Sequence, residues 1–176
     1  MTTMARKPRV LVTIFITLGI LGLGIPGLRI LGPGTIAAHA AGSQAVPFRG
    51  YYSGTSAFTS ATTVTFSGAG ISTYLGSSTN EGHVVVTGPD NSCPGGLANV
   101  NNETLTAANG DLLMFISYDV ACPMRPGVFH GTGSWVVTGG TGRFSGATGQ
   151  GTIDGYSDFN QGLFSFQMTG AVSAPM

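Results

Sequence analysis

Beyond residue 46, apolar and polar positions alternate in short runs. Residues 62–66 set Thr62, Val64 and Phe66 against Thr63 and Thr65, the two-residue period of a half-buried strand. Similar runs occupy 48–53, 71–75, 83–87, 104–107, 112–120, 128–138, 151–156 and 163–172. No stretch of ten or more residues after position 40 carries a clean 3.6-residue apolar period. The pattern predicts an all-β chain with turn signals every 8–14 residues, an antiparallel barrel or sandwich. Glycines within strands, which allow sharp bends, and the lack of lysine after position 40 to protect open edges favour a single antiparallel barrel of eight or nine strands.

The faces of these runs sharpen that expectation. In 128–138, Phe129, Gly131, Gly133, Trp135 and Val137 share one side; Val128, His130, Thr132, Ser134 and Val136 share the other. In 163–172, Phe164, Phe166, Met168, Gly170 and Val172 oppose Ser165, Gln167 and Thr169. One apolar and one wettable side is what an antiparallel sheet needs. Residues 112–120 differ: Leu112, Met114, Ile116 and Val120 lie opposite Leu113 and Phe115, so both sides of the first half are apolar. Asn109-Gly110 predicts a type I′ hairpin turn, because both of its central residues need positive φ. Residues 88–102 and 124–127, rich in Gly, Pro, Asn and Ser, read as loops.

The first 40 residues follow a different rule. Arg6, Lys7 and Arg9 precede an uncharged apolar run at 10–28, and Ala38-His39-Ala40 offers the short side chains that signal peptidase accepts. This predicts a secretory signal peptide at 1–40, cleaved after Ala40, and a barrel domain at 41–176. The alternative is an uncleaved membrane anchor, which Gly19, Gly22, Gly24, Pro26 and Gly27 disfavour as a helix. Either way the barrel is exported, and a membrane contact is expected only if the leader stays attached.

Composition then changes meaning. The whole chain has seven Lys/Arg and seven Asp/Glu, no net charge, and only 8% charged residues, against about 25% in an average soluble protein. The leader takes Arg6, Lys7, Arg9 and Arg29, leaving three arginines and no lysine against seven carboxylates. A domain so poor in cations has no electrostatic footprint for nucleic acid. Its 42% apolar content argues against disorder. Cys93 and Cys122, both in the exported part, are expected to form a disulfide that ties two loops at one barrel end. A catalytic thiol is the weaker alternative, since no Cys-x-x-Cys and no zinc spacing exists. No metal and no cofactor is expected.

The candidates for chemistry are few. Glu81 and His83 are two apart and share a strand face. They form either an acid–imidazole pair lining the barrel or a solvated pair near a strand start. His130 lies beside Thr132 and Ser134 and is either exposed or a ligand contact. Arg125, next to Cys122, could meet an anion at a barrel mouth or stay in solvent. Tyr118 could present its hydroxyl inside or pack, with Asp119 pointing the opposite way. Gly140-Thr141-Gly142 fits neither the dinucleotide fingerprint nor a Walker loop.

Residues 137–151 read VTGGTGRFSGATGQG. This resembles the GGTGRF-x-x-A-x-G signature of the allene oxide cyclase and dirigent proteins, which share an eight-stranded calycin-like barrel. GISTYLG at 70–76 and AANGD at 107–111 are similar to pieces of small secreted bacterial proteins with the same ending and no settled function. The resemblance implies that Gly139, Gly140 and Gly142 permit a tight connection, with Arg143 within the motif. It further implies that Phe144 packs on the barrel and that Ala147 and Gly149 allow close backbone contact. No cyclase acid, water-holding residue or dirigent acid of that family matches a position here. Asn102-Glu103-Thr104 fits a glycosylation sequon, which carries no weight in a bacterial-like chain.

Two functions follow. One is a barrel that binds a small apolar molecule, or that directs a reactive intermediate by shape as a cyclase or dirigent protein does. The other is a secreted structural or interaction domain whose barrel is filled by Phe129, Trp135, Phe164, Phe166 and Met168. A cavity of roughly 300 Å3 or more with one or two inward polar groups would separate the first from the second.

Overall fold

The computed structural model describes residues 44–173; the expected signal segment lies outside them. The strands are β1 (Val46–Phe58), β2 (Thr63–Ser72), β3 (Gly76–Asp90), β4 (Gly96–Ala107), β5 (Leu112–Arg125), β6 (Val128–Gly140), β7 (Thr148–Asp158) and β8 (Leu163–Ser173). Each pairs antiparallel with its neighbours in sequence, and β8 returns to β1, closing the barrel. Closure removes every free sheet edge, which a barrel without lysine could not otherwise protect.

The strands number eight because residues 71–75 do not form one of their own. Ile71 and Ser72 end β2, and a turn through Thr73, Tyr74 and Leu75 leads to Gly76 at φ 67°. The long loop expected at 88–102 is also corrected. β3 runs to Asp90 and β4 starts at Gly96, leaving only 91–95 as a connection. The 124–127 loop shrinks likewise to Pro126 and Gly127.

The β4–β5 hairpin forms, but not with the expected turn. Only Gly110 has positive φ, at 87°, while Asn109 stays at negative φ. Gly110 N–H donates to Ala107 O (2.9 Å) and Ala107 N–H to Asp111 O (2.9 Å). This is a three-residue connection ending in a left-handed glycine, which spares Asn109 the steric cost of positive φ.

Inward positions divide the barrel along its axis. Towards the end holding the β2–β3, β4–β5 and β6–β7 connections, the interior is solid. Phe48, Phe115 and Trp135 meet edge-to-face or tilted at 5.3–5.9 Å, and Met168, Leu105, Leu113 and Val172 pack around them fully buried. Each such side chain stabilises by roughly 2–3 kcal/mol. Trp135 fits because its neighbours on the inner face of β7 and β8 are Gly151 and Gly170. A Cβ on either would stand 2.5 or 2.7 Å from the indole. The indole N–H then reaches Thr152 O at 3.0 Å.

Residues 139–149 stopper this end. A single 3-10 turn at Gly142–Phe144 drops Phe144 and Ala147 into the core. The turn is held by the β4–β5 hairpin: Asp111 Oδ2 accepts from Arg143 N–H (3.3 Å) and pairs with the guanidinium (3.6 Å). Gly142 has φ 55°, and a Cβ there would strike the Asp111 carboxylate. The glycine motif and the Ala-Ala-Asn-Gly-Asp hairpin are thus two halves of one closure.

Candidate ligand cavity

At the opposite end the interior stays open. A cavity of about 360 Å3 is walled by Phe58, Phe66, Phe129, Phe159, Phe164 and Phe166, with aliphatic side chains between them. Rings meet in pairs around the opening: Phe58 tilted against Phe159 at 4.7 Å, Phe129 edge-to-face with Phe159 at 5.8 Å and Phe66 edge-to-face with Phe164 at 5.5 Å. Gly131 and Gly155 thin the wall on β6 and β7, and nothing lies within 4 Å of where a Gly131 Cβ would be. The filling side chains expected from the sequence therefore split: Trp135 and Met168 plug the closed half, while Phe129, Phe164 and Phe166 line the open one. The Cys93–Cys122 disulfide (Cα–Cα 6.0 Å) ties the β3–β4 turn to β5 at this end. Cys122 sits within the strand rather than in a second loop.

One side of the cavity is polar. β4 turns Asn99, Asn101 and Glu103 inward, and β5 adds Ser117 and Asp119 beside them. Asp119 accepts from Asn99 Nδ2 (2.8 Å) and Asn101 Nδ2 (2.5 Å); Asn101 Nδ2 also donates to Ser117 Oγ (2.9 Å). Burial raises the Asp119 pKa, and the two asparagine donors partly offset this. Glu103 is only 5% exposed. Its burial pushes the pKa up to about 8, with the Asn80 amide on β3 opposing the shift. No hydrogen bond of normal geometry joins Asn80 to Glu103, for Asn80 Nδ2 and Oδ1 and Glu103 Oε1 are all buried without a partner. Asn80 therefore acts as a nearby dipole. At neutral pH Glu103 is an uncharged acid inside a largely apolar space.

None of the five residues singled out from the sequence lines this cavity. Glu81 and His83 lie on the outer face of β3, both exposed, with Asn102 Nδ2 3.3 Å from His83 Nε2. An inward acid–imidazole pair is thereby excluded. Tyr118 is 52% exposed on the outside of β5, and its neighbour Asp119 is the inward one. His130 is on the outside of β6, with Nε2 3.1 Å from Asp154 Oδ2 and its ring stacked on Tyr156 at 4.6 Å. Arg125 stands at the open end but pairs with Asp158 at 3.7 Å and points into solvent. No cluster of three or more His, Cys, Asp or Glu suited to a metal occurs among the described residues.

The sequence did carry a signal for Glu103 and Asp119. Asp119 shares its parity with Leu113 and Phe115, so fixing those two inside places it inside as well. On β4 Glu103 shares the inward parity of Leu105 and Ala107, but between Asn99 and Glu103 the alternation is inverted, with Val100 outside and asparagines inside, which made that stretch look like loop.

Fold and cavity together define a closed eight-stranded antiparallel barrel, solid at one end and hollow at the other. No protein-family model, curated protein or solved structure matches the chain.

Proposed function

We propose that the protein is an exported barrel that binds one small, mostly apolar molecule at its open end. The cavity of about 360 Å3 carries this reading. It has the size of small-molecule sites and their make-up, apolar walls with a few convergent polar groups. Export is supported by the Cys93–Cys122 disulfide, a bond that persists in oxidising compartments, and by the leader pattern at 1–40. Kinship with the allene oxide cyclase and dirigent proteins, suggested by the GGTGRF motif, agrees with a barrel that takes such a molecule. The filled-barrel alternative fits only the closed half. A second reading, reaction by shape, draws on Glu103: an acid held neutral in an apolar cavity can hand a proton or hydrogen bond to a bound intermediate.

The neutral dye N-phenyl-1-naphthylamine tests the binding reading. Wild-type protein should brighten it saturably, one dye per barrel. Gly131→Phe should abolish the signal while the protein stays folded, because the new ring enters the open space beside Gly131. No saturable signal from the wild type, or an equal one from Gly131→Phe, would overturn the proposal.

A further inference from the structure

The free hydrogen-bonding capacity of the cavity is almost all of one kind. Asn99 Oδ1, Asn101 Oδ1 and Glu103 Oε1 are buried without a partner, and all three residues line the cavity. They are 8%, 7% and 5% exposed. The donor side of each cavity asparagine is already used. Asp119 can only accept when ionised, so the amide NH2 groups of Asn99 and Asn101 must face it, which fixes their oxygens as the unpaired atoms. Ser56 Oγ, on β1, is also unpartnered and can serve either way. Apart from the one proton that Glu103 holds at neutral pH, the patch offers acceptors and waits for donors.

Its charge points the same way. Two carboxyl groups, Glu103 and Asp119, lie in this cavity, and no Lys, Arg or His lines it among the described residues. A buried carboxylate without a counter-charge is costly. Glu103 avoids this cost by holding its proton at neutral pH, and a positive charge arriving with the ligand would favour the ionised form of both acids. Facing the patch are phenylalanine rings, whose π-faces also attract cations and accept apolar bodies.

Resting on the cavity reading above, we propose that the preferred ligand is a lipophilic amine: an apolar or aromatic body in the phenylalanine wall, and a protonated nitrogen on Asn99, Asn101, Glu103 and Asp119. Its N–H groups supply the missing donors, and its charge compensates the carboxylates. Anionic amphiphiles such as fatty acids would meet two acids and no cation, and are disfavoured.

Three molecules with one skeleton provide the test: 4-phenylbutylamine, 4-phenyl-1-butanol and 4-phenylbutyrate, each competed against N-phenyl-1-naphthylamine. The amine should displace the dye at about ten-fold lower concentration than the alcohol, the size expected for one charge-assisted hydrogen bond. The carboxylate should be weakest. Glu103→Gln and Asp119→Asn should each shrink the amine's advantage and leave the alcohol unchanged. An alcohol that competes as well as the amine, a carboxylate that competes best, or an amine advantage that survives both substitutions would overturn the inference. So would failure of all three to compete. In each of these cases the bound dye leaves the cavity reading standing. A dye that never binds the wild type overturns both.

Discussion

Glu103 should make this protein less stable as pH rises, and replacing it should remove that loss. The acid titrates near 4.5 in the unfolded chain and near 8 in the folded one. Between those values the folded protein holds a proton that the unfolded chain has released. Unfolding therefore becomes easier with rising pH, by about 1.4 kcal/mol per pH unit for one proton. The loss is small at pH 4.5, about 3 kcal/mol at pH 7, and levels off at roughly 5 kcal/mol above pH 9. Glu103→Gln keeps the size and the polar atoms but cannot ionise, and whatever its amide costs is the same at every pH. Urea unfolding, followed by fluorescence of the single buried tryptophan, Trp135, with the disulfide oxidised, reads the difference. The advantage of Glu103→Gln over wild type should grow by about 3 kcal/mol between pH 4.5 and 7. Asp119 is present in both proteins, so its own titration largely cancels. Parallel stability curves would refute the reasoning. A wild type that gains on the variant as pH rises would show Glu103 ionised and partnered in the fold.

Two further substitutions probe the frame around the cavity. Replacing Cys93 and Cys122 together by serine opens a loop closed over 29 residues and should cost roughly 3–4 kcal/mol in urea unfolding; a loss below about 1 kcal/mol would contradict this. Gly151→Ala places a Cβ 2.0 Å from Thr169 O and 2.5 Å from the Trp135 ring, and should cost at least 1–3 kcal/mol with a shifted tryptophan spectrum. Gly131→Ala, with open space at its Cβ, should stay within about 0.5 kcal/mol of wild type, and equal losses at the two glycines would refute the packing argument.

The inner faces of β6 and β8 were legible because Trp135, Val137, Phe164, Met168 and Val172 keep strict parity against Ser and Thr. β4 was not, because parity there carries polarity inward and Val100 outward. Glu81, His83, Tyr118, Arg125 and His130 drew notice for their chemistry, yet all five belong to the outside or the rim. Glutamate and aspartate ordinarily stand in solvent, and only the neighbours of Glu103 and Asp119 make these two unusual.

Local alternation and glycine turns determined by themselves an all-β chain of short antiparallel strands and which faces of its clearest strands turn inward. These follow from the two-residue period of each strand alone. The pairing of β8 with β1 that closes the barrel is tertiary. Whether the interior is full or hollow was decided only by the tertiary structure. It depends on which inward residues share a level across eight strands, and that is set by register. Register seats Trp135 over two glycines at one end and leaves Gly131 facing open space at the other. It also gathers Asn99, Asn101, Glu103 and Asp119 from two strands into one desolvated patch, where burial rather than sequence sets the protonation of the two acids.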